Sequence, residues 1–445
     1  MWAQEGTEGQ PQDCLLGLAG PAFYTRPAPG HPHSPPFPTP SGIMDQPSLP
    51  PHVGFPSGPA GACPACAAPD CQLVYSVARI PIHSCVLLAD QAQARGFPQG
   101  DLEWAVCRRC GFLFNRAFDA SRIDYGEDYE ETQGYSGTFR AFLADTIARL
   151  TDDHDLQGQT VVEIGPGRGD FLEALCRAAG ARGVGIDPSR TAGRVDRSAG
   201  LGLEFLFEPY GPQHHSIEAA AVVCRHTLEH LPRVAELVEL VRAHLGSHPE
   251  RCAFFELPDT ERILREGAFW DVYYEHCSYF SRASLRYLFE SQGFAVDRLE
   301  LVYGGQYLHL DAHPSSMQTH PQPDPASILE AVGQFQERCE ASLKRWHAWL
   351  QASQPGSVAL WGSGSKATGF LTTLGSWDRI QCVVDINPDK AGKFVAGSGH
   401  PIIQPSELPG RPIERVLIMN PIYRTEITRA LADLGLHPEI EALGE

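Results

Sequence analysis

The sequence lacks the features that place a protein in a membrane or on nucleic acid. No run approaches the roughly 18 apolar residues that a membrane-spanning helix needs. The first eight residues carry two acids and no base, unlike a signal peptide. Basic residues are scarce, with 35 Lys and Arg against 54 Asp and Glu, and the formal net charge of −19 disfavours anionic partners. We therefore expect a cytoplasmic protein that binds neither membranes nor nucleic acid, and the sequence favours no particular oligomeric state.

Regular structure is also lacking at the amino-terminal end. Residues 1–60 hold 14 of the 37 prolines, few charges and no periodic apolar pattern. Proline has no N–H to donate in a helix or sheet, so we expect a disordered tail. A proline-rich ligand segment is the alternative, and Met44 is a second candidate start. At roughly 100–200 residues per domain, the 445-residue chain predicts two to four domains.

Cysteines are numerous, but their pattern does not indicate disulfides. Thirteen is an odd number, and no secretion signal accompanies it. Two Cys-x-x-Cys pairs, Cys63/Cys66 and Cys107/Cys110, each aim two sulfurs at one point, and together they supply the four thiolates of a tetrahedral Zn²⁺ site. Four thiolates leave no position for substrate, so we expect a structural zinc module over residues 61–122. Two redox pairs or buried thiols are the alternative.

A strand, a glycine turn and a helix follow one another from about residue 160. The apolar strand Val161–Ile164 leads into Gly165-Pro-Gly167-Arg-Gly169, and Asp170–Ala179 has helical spacing. Such a turn needs positive φ and allows close backbone approach. A second strand over 183–186 ends at Asp187, whose carboxylate can accept both ribose hydroxyls of an adenosine.

The spacing of this turn separates it from the usual dinucleotide turns. Glu163 stands two residues before the first glycine, and Gly-x-Gly-x-Gly differs from the Gly-x-Gly-x-x-Gly that places a pyrophosphate on a helix. The stretch resembles motif I of class I methyltransferases. That resemblance implies S-adenosylmethionine as the cofactor, and these residues would hold it: Glu163, Gly165, Gly167, Gly169 and Asp187. An ordinary strand–helix turn is the alternative.

An aromatic cluster over residues 269–281 carries the candidate chemistry. It contains Tyr273, Glu275 and His276. A histidine beside a carboxylate can act as a general base near neutral pH, and a tyrosine can donate a hydrogen bond to a carbonyl oxygen as it becomes an enolate. The alternative is that the rings are core and that Glu275 and His276 form a surface pair.

A second strand–turn–helix unit begins at residue 357. Its turn, Gly362-Ser-Gly364-Ser-Lys366, combines backbone N–H groups at a helix N-terminus with a lysine, which suits a phosphate. A strand over 380–384 then ends in Asp385-Ile-Asn-Pro-Asp-Lys390, and a further strand covers 415–419. We expect a second doubly wound α/β domain over 316–445 with Gly362, Gly364 and Lys366 at its substrate site. A nucleotide fold without a ligand is the alternative.

The order of these parts resembles the zinc-containing C-methyltransferases that act on nucleotide-linked keto-sugars, over about residues 61–445. Tyr273, Glu275 and His276 match that family's Tyr-x-Glu-His motif. The resemblance implies that His276 removes a proton next to the sugar ketone, that Glu275 orients it or raises its basicity, and that Tyr273 supports the oxyanion. The implied fold class is α/β, with a zinc module, a Rossmann-like methyltransferase sheet over 123–315 and the second α/β domain.

Two segments differ from the family's usual pattern. Motif I reads Gly-Pro-Gly-Arg-Gly rather than Gly-Cys-Asn-Asp-Gly, and Arg225–His230 replaces Asn-Val-x-x-His, with His230 aligned to the last histidine. An O- or N-methyltransferase and a non-catalytic zinc and nucleotide-binding scaffold are therefore alternatives. The rival bases are His226 and His230. A tyrosine of the acidic segment 124–137 is expected in the site, and the candidates are Tyr125, Tyr129 and Tyr135.

Overall fold

The computed structural model describes residues 50–126, 128–189, 202–316, 321–375 and 377–445. The predicted disordered tail falls largely on residues that lie outside these ranges. The described residues form three β-sheets with helices packed around them, which is the expected α/β class. None of the helices in these ranges combines the length and apolar character that crossing a bilayer would require.

The amino-terminal sheet is antiparallel. Its strands are β1 (Val53–Gly54), β2 (Cys71–Pro81), β3 (Gln99–Cys107) and β4 (Leu113–Asn115), and the short helix α1 covers Gln91–Arg95. Strand β1 pairs with β2 at Val53↔Val77. Regular structure therefore starts before residue 61, and the predicted tail boundary at residue 60 is wrong, because the backbone of β1 finds hydrogen-bond partners on β2.

The central sheet follows. Its region contains the strands β5 (Thr160–Ile164), β6 (Arg182–Ile186), β7 (Leu203–Leu206), β8 (Ala221–Arg225), β9 (Cys252–Pro258), β10 (Ser278–Tyr279), β11 (Phe294–Val302) and β12 (Tyr307–Pro314). The helices of this region are α2 (Gly137–Asp153), α3 (Asp170–Ala179), α4 (Val234–Leu245), α5 (Thr260–Glu266) and α6 (Arg282–Ser291). The strand order is β11-β12-β9-β8-β5-β6-β7. Every residue of β5 is buried, as a central parallel strand covered on both faces requires.

Strand β10 leaves the central region and joins the amino-terminal sheet. It pairs antiparallel with β4 at Ser278↔Phe114 and Tyr279↔Leu113. The aromatic cluster that carries the candidate chemistry is therefore tied to the predicted zinc module, which no local sequence pattern indicates.

The carboxy-terminal sheet is parallel. Its elements are α7 (Ala326–Gln351), β13 (Val358–Trp361), α8 (Ser365–Leu374), β14 (Ile380–Val384), β15 (Ile402–Ile403), β16 (Arg415–Ile418), α9 (Arg424–Asp433) and β17 (Glu439–Ala442). The order is β15-β14-β13-β16-β17. The predicted strands and the helix after Lys366 are present within one or two residues of the expected bounds.

Helix α7 joins the first and third sheets. The ring of Phe335 packs edge-on against Trp104 of β3, with centroids 5.3 Å apart, and against Tyr75 of β2 at 5.6 Å. All three side chains are fully buried. Because the two sheets share this core, the carboxy-terminal domain is held firmly against the amino-terminal module.

Candidate active site

One cavity of about 920 Å³ lies where the carboxyl ends of the central strands face the carboxy-terminal sheet. Most of the predicted cofactor, catalytic and substrate residues line it: Glu163, Gly165, Gly167, Asp187, Tyr273, His276, Gly362, Gly364 and Lys366. Gly169 and Glu275 are the two predicted residues of these groups that are not part of its wall. The two glycine turns, which are about 200 residues apart in the sequence, therefore open into the same space.

The first glycine turn has the predicted backbone conformation. Gly165, Gly167 and Gly169 have φ values of 66°, 54° and 80°. A Cβ on Gly165 would lie 2.2 Å from Oγ1 of Thr227, so another residue does not fit there. Gly169 precedes α3, and a Cβ there would meet the ring of Phe205 at 2.7 Å. The turn thus lets a ligand approach the backbone closely.

Two carboxylates flank this turn. Glu163 at the end of β5 is 2% exposed, and its Oε2 has no hydrogen-bond partner among the described residues. Burial raises the pKa of Glu163 to about 7, although the charge of Arg225 opposes this. Asp187 follows β6, and its Oδ1 accepts a hydrogen bond from the N–H of Ser189 at 2.8 Å. An orphaned buried oxygen and a carboxylate at the next strand end suit the amino group and the ribose of S-adenosylmethionine.

The candidate base also lines the cavity. Nε2 of His276 is 3.3 Å from the hydroxyl of Tyr273, and its ring lies edge-on to that of His230 with centroids 4.7 Å apart. Burial holds the pKa of His276 well below 6.5, and the charges of His230 and His226 act in the same direction. The neutral form of the His276 ring is therefore favoured, and the same burial opposes its protonation.

The predicted support of His276 by Glu275 does not take the form of a direct hydrogen bond. Its carboxylate accepts hydrogen bonds from the backbone N–H and the hydroxyl of Ser84, and Oε2 lies 3.2 Å from Nδ1 of His83. It does not bond to His276. Glu275 lies in a turn, and the backbone there directs His276 into the cavity and Glu275 towards the amino-terminal module.

The partners of His226 disfavour it as the base. Its Nε2 lies 2.9 Å from Oε1 of Glu256, and its Nδ1 lies 3.4 Å from Oε1 of Glu229. Burial opposes the charged ring, but the two carboxylates prevail and raise the pKa of His226 to about 9. The ring is protonated at neutral pH and has no lone pair to offer.

All three candidate tyrosines line the cavity, and they differ in their contacts. The hydroxyl of Tyr125 lies 2.7 Å from Nδ1 of His230. Tyr129 packs edge-on against Tyr125 at 5.0 Å, and Tyr135 is 39% exposed. Burial raises the pKa of Tyr125 well above 10, so its hydroxyl keeps its proton.

The second glycine turn contains a buried charge cluster. Nζ of Lys366 lies 2.7 Å from Oδ2 of Asp271, which also accepts a hydrogen bond from Arg262 at 2.5 Å. Burial lowers the pKa of Lys366 to about 8, and Arg262 contributes, while Asp271 opposes the change. Gly364, at the start of α8, makes no side-chain cap, so the helix N-terminus opens into the cavity.

The four predicted metal ligands lie together. The Sγ atoms of Cys63 and Cys110 are 3.7 Å apart, and so are those of Cys66 and Cys107. All four lie within 4.8 Å of one another. A tetrahedron with Zn–S bonds of about 2.3 Å has edges of about 3.8 Å, so the cluster fits one Zn²⁺ ion.

Sequence reasoning missed His83 and Ser84, which hold Glu275 from the amino-terminal module. The only sequence signal for such partners is the glutamate of the Tyr-x-Glu-His motif, because a buried carboxylate needs hydrogen-bond partners. No spacing rule connects residue 275 with residue 83, which precedes it by 192 positions.

Two family models match adjacent parts of the chain. Residues 135–299 match the model of the methyltransferase domain, and residues 326–436 match that of the C-methyltransferase C-terminal domain. The chain is therefore an S-adenosylmethionine-dependent methyltransferase, and the second match supports methylation of carbon. The chain is 28% identical over 392 residues to the C-methyltransferase NovU of Streptomyces niveus, and the alignment covers 83% of this chain and 91% of that protein.

Solved structures resemble a smaller part of this methyltransferase. The magnesium protoporphyrin IX methyltransferase of Synechocystis PCC 6803 with bound SAH is 17% identical, with a TM-score of 0.32, and covers 40% of this chain and 84% of its own. A Burkholderia thailandensis N1-methyltransferase is 15% identical, with a TM-score of 0.32, and covers 40% of this chain and 79% of its own.

Proposed function

We propose that the enzyme methylates a carbon next to the ketone of a nucleotide-linked sugar, with His276 as the base that forms the enolate. One observation carries this proposal: Tyr273 and His276, the motif I turn and the Gly362–Lys366 turn all line the same cavity of about 920 Å³. A cofactor, a reacting carbonyl and a distant phosphate group can therefore occupy one space together.

His276 and Tyr273 have different roles in the proposed proton transfer. His276 is neutral in the buried site and accepts the proton from the carbon next to the ketone. The hydroxyl of Tyr273, 3.3 Å from that ring, donates to the oxygen as it gains charge. S-adenosylmethionine, when bound, supplies a methyl group whose transfer breaks its S–CH₃ bond and leaves S-adenosylhomocysteine. The electron pair of the lost C–H bond then forms the new C–C bond.

The motif I turn and the residues beside it would hold the cofactor. Glu163 has an unpartnered, buried Oε2 that would accept from the amino group. Asp187 would accept from the ribose hydroxyls. Gly165, Gly167 and Gly169 would allow the backbone to approach the amino-acid end.

The nucleotide part of the acceptor would lie at the second turn. The N-terminus of α8 at Gly364 lines the cavity, and Lys366 adds a cation that Asp271 holds in place beside Arg262. Gly362 has a φ of 105°, a conformation that favours glycine, and it lines the same cavity. This arrangement supports a phosphate-linked acceptor.

The four clustered thiols would hold one structural Zn²⁺ ion. Cys63, Cys66, Cys107 and Cys110 leave no open coordination position, so the metal would stabilise the module without taking part in the chemistry. A cytoplasmic location, where thiols stay reduced, agrees with this use of cysteine.

Acceptor screening tests the proposed function. The purified enzyme is incubated with S-adenosylmethionine and a panel of nucleoside-diphosphate keto-sugars, and mass spectrometry scores the gain of one CH₂ beside S-adenosylhomocysteine. Enzyme and acceptor are also incubated in deuterium oxide without the cofactor. Carbon chemistry predicts deuterium uptake next to the ketone, whereas an O- or N-methyltransferase would give methylated product without uptake at carbon.

A further inference from the structure

His83 comes from the amino-terminal module, yet it lies behind the candidate catalytic residues. It follows β2, and it is 4% exposed. Its Nδ1 lies 3.2 Å from Oε2 of Glu275, and its Nε2 accepts a hydrogen bond from the backbone N–H of Asp124 at 3.1 Å. A neutral ring with its proton on Nδ1 satisfies both partners, so the two bonds assign this tautomer.

The first bond fixes the segment that carries His276. Glu275 immediately precedes His276 and is held by His83 together with Ser84. Two residues beyond His276, β10 pairs with β4 of the amino-terminal sheet. The segment is thus anchored on both sides of the candidate base, which fixes the backbone from which its ring projects.

The second bond fixes the segment that carries Tyr125. Asp124 precedes this tyrosine, whose ring lies edge-on to His83 with centroids 5.1 Å apart. The Tyr125 hydroxyl lies 2.7 Å from Nδ1 of His230. Since the rings of His230 and His276 are 4.7 Å apart, both paths from His83 end at the same pair of histidines.

We propose that His83 is a positioning residue that sets the relative orientation of His230 and His276. One path runs through Glu275 and the other through Asp124 and Tyr125. The importance of this orientation for turnover rests on the proposed role of His276 as the base. The amino-terminal module would then contribute to the reaction directly, as well as supporting the fold.

Three variants separate the two paths. H83N keeps an amide N–H close to the position of Nδ1 and loses the acceptor for Asp124. H83Q keeps an acceptor close to the position of Nε2 and loses the donor for Glu275. H83F fills the space with neither group. The control is H52N, because His52 also belongs to the amino-terminal part but bonds to the carbonyl of Thr372 outside the cavity.

The readout is the set of histidine ring resonances of full-length protein labelled with carbon-13 histidine. H230N and H276N assign two of these resonances by their loss. We expect H83N to shift mainly the His230 resonance, H83Q mainly the His276 resonance, H83F both, and H52N neither. Unchanged resonances of His230 and His276 in all three His83 variants would overturn the proposal.

Turnover with the keto-sugar panel gives a second readout. H83F is expected to lower kcat by up to about 100-fold, because the reacting groups would be misplaced. Its Kd for S-adenosylmethionine should stay within about twofold of the wild-type value, because the residues proposed to hold the cofactor are unchanged. H83N or H83Q should have a higher kcat than H83F, because each keeps one of the two hydrogen bonds of His83. If H276N keeps full turnover, the proposed function fails, whereas the positioning proposal fails on the resonances alone.

Discussion

Arg168, in the cofactor turn, lies 3.3 Å from the carboxylate of Asp389 in the carboxy-terminal domain. The same guanidinium reaches Oε2 of Glu130 at 3.3 Å, and the other oxygen of Glu130 accepts from Asn387 at 3.0 Å. The Asp-x-Asn-Pro-x-Lys motif therefore bonds to the cofactor turn and to the acidic segment before α2. Arg168 of the Gly-Pro-Gly-Arg-Gly turn thus links that turn to the carboxy-terminal domain.

The Arg168 contact has a measurable effect on stability. R168A leaves the buried carboxylate of Glu130 with fewer partners, so we expect it to lower the free energy of unfolding by about 1–3 kcal/mol. R177A is the control, because Arg177 pairs with Glu173 on an exposed helix face and should change stability by less than about 1 kcal/mol. Urea unfolding of the two variants checks this, and equal effects would show that Arg168 is merely a surface residue.

Cofactor affinity tests the role of Asp187. D187A removes a charged acceptor for the ribose hydroxyls, which contributes about 1.5–3 kcal/mol, so the Kd for S-adenosylmethionine should rise about ten- to 150-fold. D155A, which removes an exposed carboxylate elsewhere in the domain, should leave the Kd unchanged. Calorimetry that finds equal affinities for D187A and the wild type would place the ribose elsewhere.

Metal content tests the zinc proposal. We expect one Zn²⁺ per chain, and C107S should lose it together with much of the stability of the amino-terminal sheet. C71S is the control, since the Cys71 thiol donates to the carbonyl of Ala68 and is not one of the four ligands. A full equivalent of zinc in C107S would contradict the assignment. If the wild type bound a second equivalent of zinc and H276N did not, the second ion would lie near Glu229, His230 and His276.

The pH dependence of stability tests the ion pairs of His226. The pKa of this histidine is about 9 in the folded protein and 6.5 in the unfolded chain. The folded state therefore holds more protons between these values, and the stabilisation is complete below pH 6.5 and is lost as the pH rises through about 9. We expect H226Q to be less stable than the wild type at pH 6, with a smaller difference at pH 10. Parallel stability curves would show that the pairs contribute nothing.

Local signals in the sequence predicted much of the fold. The two glycine turns, the buried strands beside them and the helix over Asp170–Ala179 have short-range causes, namely positive φ, continuous apolar runs and helical spacing. The pairing of β10 with β4 has no such cause. It joins residues 278 and 114, and only the packing of the complete chain brings them together.

In the candidate site, too, the features with local causes could be predicted and the long-range contacts could not. Glycine and cysteine spacings carry their own geometry, so the cofactor turn and the four clustered thiols lie where the sequence indicated. The partner of Glu275 could not be inferred, because adjacency to His276 in sequence suggested a contact, whereas the turn at Glu275 directs its carboxylate to His83. The bond between Tyr125 and His230 likewise joins residues 105 positions apart, which no local pattern indicates.

The turnover of H276N, measured beside H230N by release of S-adenosylhomocysteine, tests the central claim most directly. The account predicts that H276N loses about two to four orders of magnitude in turnover, because the proton acceptor is gone. Its affinity for the cofactor should remain close to that of the wild type, since His276 is not one of the residues proposed to hold the cofactor. If H230N lost this activity and H276N kept it, the base would lie in the segment after β8, and the proposed role of His276 would be wrong.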